Sequence, residues 1–321
     1  MDENIRYSVV VPVYNEEAVI GETYKRLTRV MASLGEKYEI ILVNDGSRDK
    51  TLELAKEICD KDKRVKLISF SRNFGHQAAI TAGMKHSSGE AVIVIDADLQ
   101  DPPEVIPDMI RKWKEGYNVV YGRRIKRKGE TLFKKSTARI FYRALNHLAD
   151  VEMPEDTGDF RLIDRNVCNV LNELPERNRY VRGLVNWAGF RQTDVKFVRQ
   201  ERFAGITKYP LKKMLKFAAD AVISFSSKPL RFSMYLGIAA LIAGFISLAA
   251  IIYEILFTDK AVPGWSPAVA ASLVFSGAML IMTGILGEYT SRIYDEVKGR
   301  PLYIISLKKN FGNEGTSDGA S

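Results

Sequence analysis

Two carboxylates, Asp96 and Asp98, directly follow a run of apolar residues, and Gln100 comes two positions later. The run Ala91-Val-Ile-Val94 is mostly β-branched, which is typical of a strand buried on both faces. The double proline at 102–103 prevents that strand from continuing. Open α/β sheets bind ligands at the carboxyl ends of such strands, and Mg²⁺ uses one or two carboxylates together with substrate phosphates. The spacing therefore predicts a metal site, and the alternative is an acidic turn that only caps the following helix.

Acidic residues also follow the other predicted strands. The first strand, Tyr7–Val13, leads to Glu16 and a helix, and Asn15 is predicted to cap that helix. The second strand, Tyr38–Asn44, leads to Asp45, although the sequence Asn-Asp-Gly-Ser could also be only a tight turn. Three such strand ends in one sheet favour a binding site over three unrelated turns.

Short strands alternate with helices from Tyr7 to Gly122. This alternation predicts an α/β fold with a doubly wound, mostly parallel sheet and helices on both faces. No Gly-x-Gly-x-x-Gly follows the first strand, which disfavours a dehydrogenase-type dinucleotide fold. The two cysteines and three histidines have no metal-ligand or disulfide spacing, so neither a zinc site nor a disulfide framework is expected. The first residues lack the regions of a signal peptide, so the N-terminal domain is expected in the cytoplasm.

Two apolar segments, Ser233–Phe257 and Pro267–Leu286, are each long enough to cross a hydrocarbon core of about 30 Å. We therefore predict two transmembrane helices, at about 233–257 and 267–289. Basic residues precede the first segment and follow the second, whereas the connecting loop carries only Asp259 and Lys260. This distribution predicts that both ends of the chain lie in the cytoplasm.

Two stretches, Glu130–Leu148 and Pro210–Ser227, place apolar residues on one helical face and basic residues on much of the rest. Basic amphipathic helices of this kind often lie in a membrane interface, and an ordinary helix facing a protein core is the alternative. Much of the net charge of +8 lies near these stretches and beside the apolar segments. Phosphorylated substrates and anionic membrane lipid are the partners expected for this charge, and nucleic acid is not expected.

Four motifs follow one another along the chain: Val11-Pro-Val-Tyr-Asn-Glu16, Asn44-Asp-Gly-Ser47, Asp96-Ala-Asp-Leu-Gln-Asp-Pro-Pro103 and Thr157-Gly-Asp-Phe-Arg-Leu162. Together they resemble family-2 glycosyltransferases of the GT-A fold, in the branch that uses polyisoprenyl phosphates. The paired apolar segments and Arg292–Pro301 resemble the bacterial members of that branch, and the resemblance covers residues 5–312.

The resemblance implies a particular organisation of the chain. Residues 1–209, including the helix at 130–148, would form a cytoplasmic GT-A domain, followed by an interfacial helix at 210–228. Residues 229–290 would hold the two transmembrane helices, and residues 291–321 would form a cytoplasmic tail. The protein would be a multi-pass protein of the inner (plasma) membrane, and its spans or tail could carry a homo-oligomer contact.

The functional positions of the family transfer to this sequence residue by residue. The nucleotide-binding positions correspond to Pro12, Tyr14, Glu16, Val43 and Asp45. The metal and diphosphate motif corresponds to Asp96, Ala97, Asp98 and Gln100, with Mg²⁺ or Mn²⁺ held by Asp96, Asp98 and Gln100. Further contacts to the donor correspond to Arg124, Arg202 and Lys208, with Arg123 as an alternative to Arg124. The place of the catalytic carboxylate is taken by Asp159.

The implied reaction is an inverting transfer of a hexose from a nucleoside diphosphate sugar to a polyprenyl phosphate such as undecaprenyl phosphate. Its product would be a lipid-linked sugar for glycosylation of the cell envelope. UDP-glucose is the first expectation for the donor, ahead of UDP-N-acetylglucosamine, UDP-galactose and GDP-mannose. A phosphate monoester has a second pKa near 6 and is mostly ionised at neutral pH. Asp159 could therefore be a general base, or it could only orient the sugar.

Two other classes of protein stay open. A processive polysaccharide synthase would need more than two spans to build a translocation pore in one chain, and the sequence contains no Gln-x-x-Arg-Trp. A non-catalytic membrane scaffold with a domain that senses sugar nucleotides would not need a carboxylate at every strand end.

Overall fold

The computed structural model describes residues 5–125, 157–177, 179–200, 228–257 and 265–311. These residues belong to two compact units. The first is built from residues 5–125, 157–177, 179–200 and 301–311, and the second from the described residues between 228 and 300. The predicted amphipathic helices at 130–148 and 210–227 lie outside the described residues, as do Arg202 and Lys208.

The first unit contains eight described strands. They are β1 Tyr7–Val13, β2 Tyr38–Asn44, β3 Val65–Phe70, β4 Ala91–Val94, β5 Val119–Ile125, β6 Thr157–Asp164, β7 Gln192–Val198 and β8 Ile305–Lys309. Its described helices are α1 Ile20–Ser33, α2 Thr51–Lys61, α3 His76–Lys85, α4 Ile106–Lys114, α5 Arg165–Glu173 and α6 Val181–Trp187, and a 3₁₀ turn at Pro103–Val105 precedes α4. The predicted β-α alternation through β5 is therefore confirmed.

The eight strands form one sheet in the order β7-β5-β6-β4-β1-β2-β3-β8. Strands β4, β1, β2 and β3 are parallel to one another, and β5 is parallel to β7. Strand β6 runs antiparallel between β4 and β5, and β8 runs antiparallel to β3 at the sheet edge. The α/β class and the mostly parallel sheet are confirmed, since six of the eight described strands run in one direction and only β6 and β8 run against them. A strand's direction is set by its partner, and the local apolar pattern does not encode it.

The core explains why these segments are strands. All residues of β1, β2 and β4 are buried, as expected for apolar, β-branched runs that are covered by helices on both faces. Helix α1 packs its apolar side against them through Ile20, Leu27 and Met31, which are almost fully buried. Each such side chain stabilises the fold by about 1.5–3 kcal/mol relative to an exposed position. The resulting rigid framework fixes the loops at the carboxyl ends of the strands.

The start of α1 differs from the prediction. The helix begins at Ile20, its N-cap residue Val19 makes no side-chain capping bond, and Asn15 lies further upstream with a φ of 54°. The side-chain oxygen of Asn15 accepts a hydrogen bond from the backbone N–H of Arg48 at 2.8 Å. Asn15 therefore ties the β1–α1 loop to the β2–α2 loop instead of capping the helix.

The second unit contains two long helices, α7 Lys228–Phe257 and α8 Trp265–Val297. Several large apolar side chains on them are exposed, among them Phe245, Ile246 and Leu280. Among the described residues, no helix has both the length and the apolar character needed to cross a membrane. The two transmembrane helices predicted at about 233–257 and 267–289 are therefore not supported by the structure.

Candidate active site

The loop after β4 carries the predicted metal ligands in a fixed conformation. The backbone carbonyl of Ala97 accepts a hydrogen bond from the Thr23 hydroxyl at 2.7 Å. Leu99 is buried and has a φ of 57°, a left-handed conformation that a residue with a bulky side chain adopts only when its surroundings enforce it. Asp98 Oδ1 accepts a hydrogen bond from the backbone N–H of Gln100 at 3.1 Å. The loop is therefore held in place before any substrate arrives.

Asp96 has the properties of a metal ligand. Its side chain keeps 32% exposure, but its Oδ1 atom is buried and makes no hydrogen bond within the described part of the chain. Burial raises the pKa of Asp96 to about 6, against the opposing effect of His76. His76 Nε2 lies 3.4 Å from this oxygen but forms no hydrogen bond with it. A buried carboxylate oxygen without a hydrogen bond is costly, and a divalent cation would add to the compensation that His76 gives. With Asp98 two residues away, the donor set fits Mg²⁺ or Mn²⁺.

Two further observations bear on the metal. Among the described residues, no group of three or more His, Cys, Asp or Glu side chains could hold an ion. The predicted site has only two carboxylates, and a Mg²⁺ site of that kind is completed by substrate phosphates. The side-chain oxygen of Gln100 accepts a hydrogen bond from Arg199, and its backbone carbonyl accepts one from the N–H of Gln200 at 2.9 Å. A role of Gln100 as a metal ligand stays a prediction.

Asp159 on β6 lies at the centre of a buried charge cluster. Its side chain is 6% exposed and makes two hydrogen bonds with Arg182 of α6, from Nε to Oδ1 at 2.7 Å and from Nη2 to Oδ2 at 2.9 Å. Nε2 of His76, the first residue of α3, lies 3.2 Å from Asp159 Oδ2 and 3.4 Å from Asp96 Oδ1. His76 therefore bridges the predicted catalytic carboxylate and the predicted metal ligand.

The contacts within this cluster shift the pKa values of Asp159 and His76. Burial alone would raise the pKa of Asp159, but the charge and hydrogen bonds of Arg182 together with His76 hold it well below its usual range. Burial opposes protonation of His76, yet the hydrogen bond to Asp159 and the charges of both carboxylates raise its pKa to about 9. At neutral pH Asp159 is thus an ionised carboxylate that already has two cationic partners.

Asp45 at the end of β2 organises a neighbouring loop. Its carboxylate is buried and accepts hydrogen bonds from the backbone N–H groups of Phe74 at 2.7 Å and Gly75 at 3.0 Å. Burial raises the pKa of Asp45, and these two N–H groups oppose that shift. Gly46, with a φ of 65°, lets the chain pass so close to Arg72 that an added Cβ would lie 2.4 Å from the Arg72 carbonyl carbon. In this structure Asp45 holds the loop that leads to His76, and its contact with a nucleotide stays a prediction.

The remaining nucleotide-binding positions lie at the same edge of the sheet. Pro12 of β1 pairs with the buried Val43 of β2. The backbone N–H of Glu16 donates to the Thr51 hydroxyl at 2.8 Å, and Tyr14 is half-buried. The structure thus places the predicted nucleotide positions at the carboxyl ends of β1 and β2 and in the loops that follow these two strands.

The structure separates Arg124 from Arg123. Arg124 makes two hydrogen bonds with the buried Asp101, Nε to Oδ1 at 3.2 Å and Nη2 to Oδ2 at 2.9 Å. Gly158 leaves room for this pair, because an added Cβ there would lie 2.7 Å from Arg124 Nη2. Arg123 instead lies 3.5 Å from Asp194. Arg124 is therefore the arginine beside the metal-binding loop, and its contact with a diphosphate stays a prediction.

His76, Arg182 and Asp101 were missed by the sequence analysis. His76 follows the loop after β3, so the rule that strand ends carry functional groups could have singled it out. Asp101 lies inside the Asp96–Pro103 motif and had the same signal. Arg182 has no such signal in the sequence, because only its contact with Asp159, 23 residues away, identifies it as part of the site.

Comparison with known proteins gives a consistent result. Residues 8–171 match the family described as Glycosyl transferase family 2. A Bacillus subtilis protein named uncharacterized glycosyltransferase YkcC is 56% identical over 314 residues, which cover 98% of this chain and 97% of that protein. The bactoprenol glucosyl transferase of Shigella phage SfII is 40% identical over 309 residues, which cover 96% of this chain and 100% of that protein. The solved structure of the mannosyltransferase PcManGT from Pyrobaculum calidifontis, in complex with GDP-Man and Mn²⁺, aligns over 93% of this chain and 86% of that one, with 16% identity and a TM-score of 0.44.

Proposed function

This chain belongs to glycosyl transferase family 2, and we propose that it transfers a hexose from a nucleoside diphosphate sugar to a polyprenyl phosphate. The observation that carries the proposal is the cluster of Asp96, His76 and Asp159. In it His76 Nε2 lies 3.4 Å from Asp96 Oδ1 and 3.2 Å from Asp159 Oδ2, and the buried Asp96 Oδ1 makes no hydrogen bond with the described residues. The acceptor class is supported by a relative named bactoprenol glucosyl transferase over its full length. UDP-glucose is the proposed donor, and undecaprenyl phosphate is the proposed acceptor.

In the proposed reaction, an oxygen of the acceptor phosphate attacks the anomeric carbon of the sugar. A new bond between that carbon and the phosphate oxygen forms as the bond to the β-phosphate of the donor breaks, and the nucleoside diphosphate leaves with the bonding electron pair. Direct displacement from the opposite face inverts the configuration at the anomeric carbon. The acceptor phosphate is mostly ionised above about pH 6, so no protein group has to remove its proton.

Asp96 and Asp98 are the residues that would hold the divalent cation. When bound, Mg²⁺ or Mn²⁺ supplies positive charge that stabilises the diphosphate as it leaves. Arg124, fixed by Asp101 next to this loop, is proposed to face the diphosphate. Its planar fork suits phosphate oxygens.

Asp159 is proposed to position the sugar and not to act as an obligatory base. A base must be able to take up a proton near the working pH, but Arg182 and His76 hold the pKa of Asp159 well below its usual range. Its two oxygens already accept three hydrogen bonds from these partners. A rigid, ionised carboxylate can still accept a hydrogen bond from a sugar hydroxyl and hold it in place.

The reaction is proposed to occur at the cytoplasmic face of the plasma membrane, where the chain of the acceptor lies in the bilayer. The two basic amphipathic stretches at 130–148 and 210–227 in the sequence support this placement. The exposed apolar side chains of α7 and α8 are a further argument for it.

The full-length protein, purified in detergent, can be given Mg²⁺, undecaprenyl phosphate and each of several radiolabelled sugar nucleotides in turn. We expect label to enter the lipid fraction with UDP-glucose and to depend on the lipid phosphate. Transfer only to water, or growth of a long polymer, would exclude the proposal, and transfer from another nucleotide sugar would change the donor alone.

A further inference from the structure

The C-terminal strand β8 is built into the sheet of the first unit. It pairs with β3, placing Leu67 opposite Lys309 and Phe70 opposite Ile305. Its far end is anchored by Lys309, whose ammonium group lies 2.7 Å from the Asp60 carboxylate. The next residue, Asn310, donates from its side chain to the carbonyls of Cys59 and Val65, both at 2.7 Å. The predicted tail thus contains a structural strand.

The near end of β8 leads into a row of aromatic rings. Tyr303 stacks on Phe70, the last residue of β3, with ring centroids 4.9 Å apart and planes at 12°. Phe70 in turn meets the ring of Phe74 edge-on, with centroids 5.8 Å apart. The backbone N–H of Ser71 donates to the carbonyl of Ile304 at 3.0 Å. Tyr303 therefore supports the chain at the point where it leaves β3.

Phe74 connects this row of rings to the active site. Its backbone N–H is one of the two that Asp45 accepts, and Gly75 provides the other. His76 follows directly and lies within 3.4 Å of Asp96 Oδ1 and Asp159 Oδ2. The segment of residues 71–76 thus contacts the ring of Phe70 through Phe74, and the carboxylates of the site through Phe74, Gly75 and His76. A shift of Phe74 would move both the Asp45 contact and His76.

We propose that Tyr303 is a positioning residue for the donor site, acting through Phe70 and Phe74 on the loop of residues 71–76. Its link to the donor depends on the proposed function, since Asp45 is a predicted nucleotide contact and His76 contacts the predicted metal ligand. The donor site is then completed by a strand that follows helix α8 in the chain. Only residues 298–304 separate the end of α8 from β8.

This inference changes an expectation from the sequence. All the predicted donor ligands precede residue 210, so a fragment ending at residue 227 would be expected to keep its donor affinity. Such a fragment lacks β8, exposes β3 as an edge strand and removes the ring that packs on Phe70. We expect it to bind donor poorly.

Tyr303→Ala and Tyr303→Phe in the full-length protein test the proposal, because the second variant keeps the stacked ring. Lys309→Ala is the matched control, since it removes the anchor at the other end of β8 without touching the rings. Two quantities are measured: hydrogen–deuterium exchange by mass spectrometry in peptides covering residues 71–76, and the affinity for UDP with Mg²⁺. Tyr303→Leu, which keeps an apolar side chain without the ring, replaces the Ala variant if that one does not fold.

For Tyr303→Ala we expect faster exchange in residues 71–76 and a roughly three- to ten-fold loss of UDP affinity, the range that one aromatic pair contributes. Tyr303→Phe and Lys309→Ala should match the unmodified protein in both measurements. Unchanged exchange in Tyr303→Ala would overturn the positioning role. Faster exchange with unchanged UDP affinity would overturn its link to the donor site. If the unmodified protein binds no UDP, the proposed donor is wrong, and the exchange data still decide whether Tyr303 holds the loop.

Discussion

Replacing Arg182 by Gln should destabilise the protein markedly. Asp159 would stay 6% exposed while losing its two hydrogen bonds to Arg182, and His76 would be its sole remaining partner in the described residues. Removing one member of a buried ion pair costs about 3–5 kcal/mol. The lower end, about 3 kcal/mol, is expected here, because the Arg182 side chain is 28% exposed and His76 remains. At about 2–4 °C per kcal/mol for a unit of this size, the melting temperature should fall by about 6–12 °C.

The pH dependence of this effect has a definite sign. In the unmodified protein the pKa of Asp159 is lowered by folding. Its ionised form therefore stabilises the fold above the unfolded pKa of about 3.9, and this contribution disappears as the pH falls through the folded value. Without Arg182, the pKa of Asp159 rises relative to the unmodified protein, because burial is then opposed by His76 alone. The stability lost in the Gln variant should therefore be largest at neutral pH and smaller on acidification.

Thermal melts of the full-length protein in detergent, at about pH 7 and about pH 5, measure both effects. The double variant Arg182→Gln with Asp159→Asn is the control, because it removes both charges and should be more stable than Arg182→Gln alone. Two results would contradict this account: an Arg182→Gln variant that melts like the unmodified protein at neutral pH, or a double variant that does not regain melting temperature. Either would show that the buried Asp159 does not need Arg182 for its stabilisation.

Three further substitutions test other parts of the site. Asp98→Asn should keep the melting temperature but abolish Mg²⁺-dependent turnover, since an amide oxygen is a weaker ligand; an unchanged Mg²⁺ titration would remove Asp98 from the metal site. His76→Ala should lower kcat by about 10–100-fold, the value of a hydrogen bond to a charged group, because Asp159 loses its 3.2 Å contact; an effect on the donor KM alone would argue against this role. Gly46→Ala should cost more than about 1 kcal/mol and weaken donor binding, because of its φ of 65° and the 2.4 Å approach to Arg72; a melting temperature equal to that of the unmodified protein would contradict the close approach.

The strands rich in apolar and β-branched residues could be predicted well from the sequence. Tyr7–Val13 and Tyr38–Asn44 are predicted as strands and occur with the same bounds, because burial on both faces favours a mostly apolar segment. Strand β8 was not predicted, since its five residues end in two lysines and only pairing with β3 makes them a strand. The direction of β6 likewise depends on its neighbours β4 and β5.

The candidate site was predictable only where its residues are close in sequence. Asp96 and Asp98 share one loop, so their spacing alone indicated a metal site. Asp159 was identified through the resemblance to a family, because nothing in its own surroundings marks it. The contact between His76 and Asp159 joins residues 83 positions apart, and no local pattern encodes such a meeting. Asn15 is the opposite case. The local pattern predicted a helix cap, but the Asn15 side chain instead binds the β2–α2 loop.

The most direct test of the proposed function is the mass of the lipid product. Full-length protein, Mg²⁺, UDP-glucose and undecaprenyl phosphate should yield the lipid phosphate carrying one hexose, with one UDP released for each sugar transferred, and Asp98→Asn should yield neither. A product carrying several hexoses would indicate a processive enzyme. UDP released without any sugar on the lipid would contradict transfer to a polyprenyl phosphate.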